Sequence, residues 1–238
     1  MLELKNISFE AQNEDGKKEI LKNINLKIDN GFSVITGPNG GGKSTLAKVI
    51  AGIITPTSGQ IFLDGEDITE LSITERAKKG ISFAFQQPVR FKGITVHDLI
   101  SLAAGKDISI NEACGYLSQV GLCARDYINR EVNASLSGGE LKRIEIATVL
   151  ARSTKISLFD EPEAGIDLWS FGNLIEVFER MRETLGGSII IISHQERILN
   201  IADEIIVISS GNIEKVGKKE DVLPELLGKA SNYCSVLK

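Results

Sequence analysis

The amino-acid sequence predicts an α/β fold: a mostly parallel sheet with helices, an N-terminal antiparallel β subdomain and a helical insertion. Three observations predict it. The first thirty-odd residues alternate between apolar and polar side chains around a polar turn at 13–18, as antiparallel strands do. Short apolar strands then alternate with segments of helical spacing, which is typical of a parallel sheet. Between residues 95 and 152 helical patterns dominate, which indicates an insertion.

Each remaining element rests on a local pattern. Short apolar runs predict strands at 32–36, 60–63, 81–85, 156–159, 188–192 and 205–208. Apolar residues at helical spacing predict helices at 46–54, 96–104, 111–120, 137–152, 168–185 and 194–202, the first of them starting near Lys43. We therefore expect one domain, in which 1–94 and 153–238 form the α/β core and about 95–152 form a helical subdomain.

Composition narrows the class of protein. The chain has 238 residues, 42% of them hydrophobic, and a net charge of −5, so nothing electrostatic favours nucleic acid as a partner. No apolar run approaches the roughly 18 residues of a membrane-spanning helix, and the alternating N-terminus is unlike a signal peptide. We expect a soluble, cytoplasmic protein. Three cysteines without paired spacing argue against a disulfide framework, a zinc site or an iron–sulfur cluster.

A glycine-rich loop lies between a predicted strand and a predicted helix. It matches the pattern G-x-x-x-x-G-K-[ST] and is followed by Thr45; its residues are Gly37, Pro38, Asn39, Gly40, Gly41, Gly42, Lys43 and Ser44. Glycines let backbone N–H groups converge on phosphate oxygens, and the helix adds the positive end of its dipole. Lys43 would contribute a charge to the β- and γ-phosphates and Ser44 a hydroxyl ligand to Mg²⁺. The loop therefore predicts binding of ATP and Mg²⁺.

Two carboxylates follow the apolar strand at 156–159. Asp160 lies at its carboxyl end, where it can reach the Mg²⁺ shell near Ser44. Glu161 is then placed to orient or deprotonate an attacking water. Because an Asp-Glu pair after a strand is often only a solvated turn, the phosphate-binding loop upstream is what favours the catalytic interpretation.

The segment Ser137-Gly138-Gly139-Glu140 has the form of a capping box that opens a helix. Its two glycines leave backbone amides uncovered at the positive end of that helix, which makes a second anion site. One chain with one nucleotide has no obvious use for such a site. An ordinary capped helix explains these four residues equally well when they are taken alone.

Together these segments resemble the ABC (ATP-binding cassette) type of P-loop NTPase. GPNGGGKST resembles the Walker A motif, SLSGGE the signature, and ISLFDEPEAGID the Walker B motif with the D-loop. Gln86 in FAFQQP is similar to the Q-loop glutamine, and His194 in IISHQ to the switch histidine. The resemblance covers nearly the whole chain, in the order and spacing of the family.

The resemblance implies a role for each of these residues. The catalytic residues would be Lys43, Glu161 and His194, and the Mg²⁺ ligands Ser44, Gln86 and Asp160. The nucleotide would be bound by residues 37–45 with Gln86, Ser137, Gly138, Gly139, Asp160 and Asp167. In this family two chains pair head to tail, and the signature of each closes on the γ-phosphate held by the other's Walker A motif. An ATP-dependent homodimer is therefore expected, which gives the second anion site its use.

Shorter features are similar to the SufC-type ATPases of iron–sulfur cluster assembly. They are FAFQQPV followed by Gly93-Ile-Thr, SHQERIL after the strand at 188–192, and Ala11 where ABC domains usually carry an adenine-stacking aromatic residue. This similarity implies a SufB- or SufD-type scaffold as the partner, docked near residues 86–95. The alternative is the ATPase subunit of a metal or vitamin importer, with a membrane permease as the partner. The intact catalytic residues argue against a non-hydrolysing regulatory cassette.

Overall fold

The computed structural model describes residues 1–13, 16–133, 135–184 and 186–235. They form two compact units, unit 1 (Met1–Lys78 with Ser188–Lys238) and unit 2 (Lys79–Gly187). The division predicted from the sequence, with a helical subdomain at about 95–152, remains a prediction. Within the described part of the chain, no helix is both long and apolar enough to cross a membrane.

Strands and helices follow one another in the order expected of an α/β protein. The strands are β1 (Leu2–Asn13), β2 (Gly16–Ile28), β3 (Gly31–Thr36), β4 (Ser58–Leu63), β5 (Glu66–Asp67), β6 (Ile81–Ala84), β7 (Ile156–Asp160), β8 (Ser188–Ile192), β9 (Glu204–Ser209) and β10 (Asn212–Lys218). The helices are α1 (Lys43–Ala51), α2 (Ile73–Lys78), α3 (Val96–Ala104), α4 (Ile110–Gln119), α5 (Ala124–Tyr127), α6 (Gly138–Arg152), α7 (Leu168–Thr184), α8 (Glu196–Asn200) and α9 (Lys219–Ser235).

The N-terminal part of unit 1 is an antiparallel sheet with the strand order β2-β1-β4-β5. Alternate residues of β1, namely Leu2, Leu4 and Ile7, are buried, because successive side chains of a strand point to opposite faces. The predicted antiparallel subdomain is confirmed. The polar turn that was expected between β1 and β2 includes residues 14 and 15, which lie outside the described residues.

The second sheet region of unit 1 is mostly parallel. Strand β3 lies between β8 and β9, and both run parallel to it, whereas β10 is antiparallel to β9. Ile35 of β3 is in register with Ile192 of β8 and with Ile206 of β9. Nearly all residues of these three strands are buried, as expected of strands covered on both faces. Their carboxyl ends therefore meet at one edge.

Unit 2 combines a short parallel strand pair with helices. Strands β6 and β7 pair in parallel, with Ala84 opposite Phe159, and Phe159 meets Phe178 of α7 in an edge-to-face contact with ring centroids 5.1 Å apart. Helices α3 and α4 both pack against α6. The buried residues of α6 include Leu141, Ile144, Ala147 and Ala151, which lie three or four positions apart, as residues on one face of a helix do.

Several boundaries differ from the sequence-based expectation. The helix expected at 194–202 begins only at Glu196, because the Ser193 hydroxyl accepts a hydrogen bond from the Gln195 N–H (3.0 Å) and holds a turn there. The helix expected to start near Lys43 does begin there, but it ends at Ala51, before the expected residue 54, with Gly52 as its left-handed cap. Residue 185, expected at the end of α7, lies outside the described residues. Elements β5, α2, α5, β10 and α9 were not predicted.

Candidate functional site

The phosphate-binding loop of unit 1 is built from backbone. Strand β3 ends at Thr36, residues 37–42 form the loop, and α1 begins at Lys43. Gly37 has a φ of 137°, and a Cβ placed on it would lie 1.9 Å from the Ile208 carbonyl oxygen. No side chain fits there, so the loop turns tightly against β9. Its peptide groups and the N-terminus of α1 form a cradle suited to an anion.

Lys43 is the cation of this loop. Its side chain is buried, and Nζ donates hydrogen bonds of 2.9 Å to the carbonyl oxygens of Gly37 and Pro38. The ammonium group is thus held over the curled loop. Ser44 and Thr45 follow in the first turn of α1 and are half-buried. A hydroxyl beside a phosphate cradle is the type of ligand that Mg²⁺ accepts together with phosphate oxygens.

His194 follows the strand next to the phosphate-binding loop. The Ser193 N–H donates to the Ile35 carbonyl oxygen (3.1 Å), so the segment after β8 leaves the sheet at the same edge as residues 37–42. The His194 side chain is exposed, and its Nε2 lies 3.5 Å from Nε2 of Gln195. Unit 1 therefore brings the loop and the histidine to one edge.

Unit 2 places Gln86, Asp160 and Glu161 at the carboxyl edge of β6 and β7. Asp160 ends β7 and is buried. Glu161 follows it with a φ of 44°, a backbone conformation that is strained for a residue with a side chain. Nε2 of Gln86 donates a hydrogen bond of 2.5 Å to Oε2 of Glu161. Glutamine and glutamate thus meet although 75 positions separate them in the chain.

The signature segment has the capping box that its sequence predicts. The Glu140 N–H donates to the Ser137 hydroxyl (3.2 Å), and the Ser137 N–H donates to Oε2 of Glu140 (2.6 Å). Ser137 and Gly138, at the start of α6, are exposed. Asp167 is exposed as well, and its carbonyl oxygen accepts from the Phe171 N–H (2.9 Å) at the start of α7.

Glu140 has further partners outside the capping box. Oε1 accepts a hydrogen bond of 2.5 Å from the Tyr127 hydroxyl and lies 3.9 Å from Nη1 of Arg130. The hydrogen bond from Tyr127 and, to a smaller extent, those of Ser137 lower the pKa of the Glu140 carboxyl. The bond between Tyr127 and Glu140 also raises the pKa of the Tyr127 hydroxyl. A glutamate therefore suits this position, because it offers two acceptor oxygens to two separate donors.

Sequence reasoning missed an ion pair inside unit 2. Lys142 and Glu145 of α6 have side chains that are 2% and 15% exposed, with Nζ and Oε2 3.2 Å apart. Nζ of Lys142 also donates to the Phe85 carbonyl oxygen, and the Phe85 N–H donates to Oε1 of Glu145 (3.0 Å). Burial raises the pKa of the Glu145 carboxyl. The available signal was two charged residues three positions apart on the apolar face of a predicted helix.

A second missed residue is Arg76 of α2. Its buried guanidinium donates to the carbonyl oxygens of Val49 (2.6 Å) and Ile50 (2.9 Å) near the C-terminus of α1. Burial lowers the pKa of Arg76. A cation at this end stabilises the helix whose other end forms the phosphate cradle.

The residues present fit a nucleotide with Mg²⁺. In unit 1 the phosphate-binding loop depends on Gly37, where a Cβ would lie 1.9 Å from a carbonyl oxygen, and Ser44 carries a hydroxyl. In unit 2, Asp160 is a buried carboxylate. Among the described residues, no three His, Cys, Asp or Glu side chains cluster as a metal site of their own. Mg²⁺ is usually held by one or two carboxylates together with substrate phosphates.

The fold and these motifs define an ATP-binding cassette, and comparison with known proteins agrees. The family model described as ABC transporter matches residues 21–164. The chain belongs to this family and is an ATPase that uses ATP and Mg²⁺.

Two relatives match most of their own length. "Uncharacterized ABC transporter ATP-binding protein MJ0035" of Methanocaldococcus jannaschii is 39% identical over 87% of this chain and 86% of that protein. "Probable ATP-dependent transporter ycf16" of Pyropia yezoensis is 37% identical over 85% of this chain and 86% of that protein. The spermidine/putrescine import protein PotA of Mesoplasma florum is 34% identical, and the match spans 63% of its length.

Solved structures show the same fold. The ATP-binding cassette MJ0796, solved as a dimer in a post-hydrolysis state with ADP and Pi, has a TM-score of 0.82 and 27% identity, with 92% of this chain and 99% of that chain covered. The cbiO1 protein of Clostridium perfringens, part of the ABC transporter complex cbiONQ, has a TM-score of 0.78 and 28% identity over 94% of this chain and 90% of that chain. The expected P-loop ABC fold is confirmed.

Proposed function

We propose that this chain hydrolyses ATP as an ATP-dependent homodimer and uses the cycle to change the shape of a partner protein. The backbone cradle of residues 37–42 with the buried Lys43 carries the proposal, because it is suited to a polyphosphate. Residues 37–45 bind the phosphates, and Lys43 exchanges its bonds to loop carbonyls for bonds to phosphate oxygens. Mg²⁺, when bound, neutralises phosphate charge, and its proposed ligands are Ser44, Gln86 and Asp160.

The remaining residues act on the water and the γ-phosphate. Glu161 orients or deprotonates the attacking water, and its bond to Gln86 holds the carboxylate in place until the nucleotide arrives. His194 contacts the γ-phosphate. Ser137, Gly138 and Gly139 face the nucleotide of the second chain, and Asp167 contributes from the D-loop. The exposure of Ser137 and Gly138 supports this assignment.

For the partner we propose a SufB- or SufD-type scaffold, on which the chain drives iron–sulfur cluster assembly. The similarity of FAFQQPV and SHQERIL to SufC-type ATPases supports it. Unit 2 also carries an apolar cavity of about 180 Å³ beside the Q-loop, lined by Phe83, Phe85, Pro88, Val89 and Phe91 among others. Phe85 and Val89 are 38% and 49% exposed. These side chains suit an apolar helix of the scaffold.

A second candidate is the nucleotide-binding subunit of an importer. The name of the relative PotA, a spermidine/putrescine import ATP-binding protein, favours it. The same cavity would then accept a helix of the permease.

The first test concerns hydrolysis and the shared site. Glu161→Gln keeps the shape of the side chain and removes the base, so we expect ATP binding, a turnover loss of about 100-fold or more, and an ATP-trapped dimer on size-exclusion chromatography. Gly139→Asp places a carboxylate where the γ-phosphate of the second chain belongs, so it should bind ATP and remain monomeric. Wild-type turnover in either variant contradicts the corresponding assignment.

The second test identifies the partner. A photo-crosslinking amino acid at Val89, introduced in the organism's own cells, should link the chain to a SufB- or SufD-type protein. The matched control is Ile110, which is also apolar and exposed but lies at the start of α4. A crosslink from position 89 to a multi-span permease would overturn the scaffold proposal and support the importer.

A further inference from the structure

The backbone of Phe85 is held entirely by side chains of the signature helix. Strand β6 ends at Ala84, so the N–H and C=O groups of Phe85 lie beyond the strand ladder. The N–H donates to Glu145 and the C=O accepts from Lys142. Backbone N–H and C=O groups form strong hydrogen bonds, and here both partners come from one ion pair on α6.

This contact lies directly beside the Q-loop. Gln86 is the next residue, and its side chain bonds to Glu161. Lys142 stands one turn from Gly138, at which α6 begins with the signature. Helix α6 thus carries the signature at its N-terminus. About one turn further on it carries Lys142 and Glu145, which bond to the backbone of Phe85, the residue before Gln86.

We propose that Lys142 and Glu145 are positioning residues that fix Gln86 toward Glu161 and Mg²⁺ and make the Q-loop and the signature helix move as one body. The inference rests on the proposed function, in which Gln86 is a ligand of Mg²⁺ and α6 carries the signature. Neither Lys142 nor Glu145 touches a reacting atom. They act through the Phe85 peptide.

A buried ion pair offers a clean way to test this role. Removal of one partner leaves the other charge buried and uncompensated, which destabilises a protein, whereas replacement of both by apolar residues of similar volume is often neutral. The double variant Lys142→Met/Glu145→Leu therefore removes the hold on Phe85 while it retains the packing of α6. The control is Arg180→Met/Glu176→Gln, which removes an exposed ion pair of 3.7 Å from α7.

The measurement is the Mg²⁺ concentration that gives half-maximal ATP hydrolysis by the full-length protein. We expect it to rise about 10-fold in the Lys142/Glu145 double variant, as is usual when outer-shell support of a metal site is lost. ATP affinity measured by calorimetry with EDTA should be unchanged, because residues 37–45 are untouched. The control should behave as wild type in both measurements. If Lys142 and Glu145 served folding alone, the double variant would not change the Mg²⁺ requirement separately from the ATP affinity.

The milder variant Lys142→Met/Glu145→Gln also removes both charges but keeps an amide oxygen for the Phe85 N–H, and it provides the test if the first double variant does not fold. It should raise the Mg²⁺ requirement by a smaller factor. The variant Gln86→Ala distinguishes a failure of the positioning role from a failure of the proposed function. If Gln86→Ala raises the Mg²⁺ requirement and the Lys142/Glu145 variants do not, the positioning role is wrong and the proposed function stands. If Gln86→Ala has no effect, the assignment of Gln86 fails, and the inference fails with it.

Discussion

The functional segments of unit 1 and those of unit 2 are built from different groups, backbone in the first and side chains in the second. In unit 1 the loop at 37–42 is made of backbone, and its shape depends on the absence of side chains. In unit 2 the Q-loop, the Walker B carboxylates and the signature depend on paired side chains: Gln86 with Glu161, Lys142 with Glu145, and Tyr127 with Glu140. A backbone site tolerates almost no substitution, whereas a side-chain network loses its contacts one at a time.

The largest effect is expected where the backbone site is tightest. Gly37→Ala places a Cβ 1.9 Å from the Ile208 carbonyl oxygen in a left-handed conformation, and we expect it to cost about 3 kcal/mol or more of unfolding free energy. Urea unfolding checks this. Gly40→Ala is the matched control, since its φ is 75° but its Cβ would meet open space; we expect about 1 kcal/mol. Equal losses would show that crowding against β9 does not shape the loop.

The variant Lys43→Ala tests whether ATP binding by the loop of unit 1 depends on the backbone alone. Lys43→Ala should weaken ATP binding about 100-fold or more, because a charge and its hydrogen bonds to phosphate are lost together. Calorimetric titration measures it, with Lys48→Ala of the same helix as the control. Retained affinity in Lys43→Ala would mean that the peptide cradle suffices and that the Walker A assignment of the lysine is wrong.

Glu140 tests the side-chain network of unit 2, with the smallest expected effect. Because its pKa is lowered in the folded protein, Glu140 contributes stability above its unfolded pKa, and this contribution is lost as the pH falls through the folded pKa. Glu140→Gln should therefore cost about 1 kcal/mol near neutral pH, and the difference from wild type should vanish in acid. Urea midpoints across the acid range measure it.

Glu112→Gln provides the comparison for Glu140. Glu112 caps α4 through Ser109 in the same way and its pKa is also lowered, but its described bonds include Lys106 in place of a tyrosine. If the two variants show the same pH dependence, the bond between Tyr127 and Glu140 adds nothing to the capping box.

How far each functional segment could be predicted from the sequence depends on whether it is formed by neighbouring residues or by side chains that are distant in the chain. The loop at 37–45 is local, because nine consecutive residues dictate a shape that a pattern can capture. The capping box at 137–140 is local too, and the structure has it as expected. The meeting of Gln86 with Glu161, 75 positions away, was accessible only as a shared resemblance to the family. The partners of Phe85 left only a weak signal, two charged residues three positions apart on the apolar face of α6, and this signal does not indicate which group they contact.

The sequence by itself determined the order of strands and helices, the antiparallel N-terminus, the phosphate-binding loop and the capped signature helix, because periodicity, glycine content and capping act over a few residues. Only the tertiary structure decided which side chains meet across the chain. Arg76 bonds to carbonyl oxygens at the C-terminal end of α1, and Tyr127 bonds to Glu140. Lys142 and Glu145 bond to the backbone of Phe85, the residue before Gln86. These contacts join residues that are distant in the chain. Which groups pair with a buried charge depends on how the surrounding elements pack.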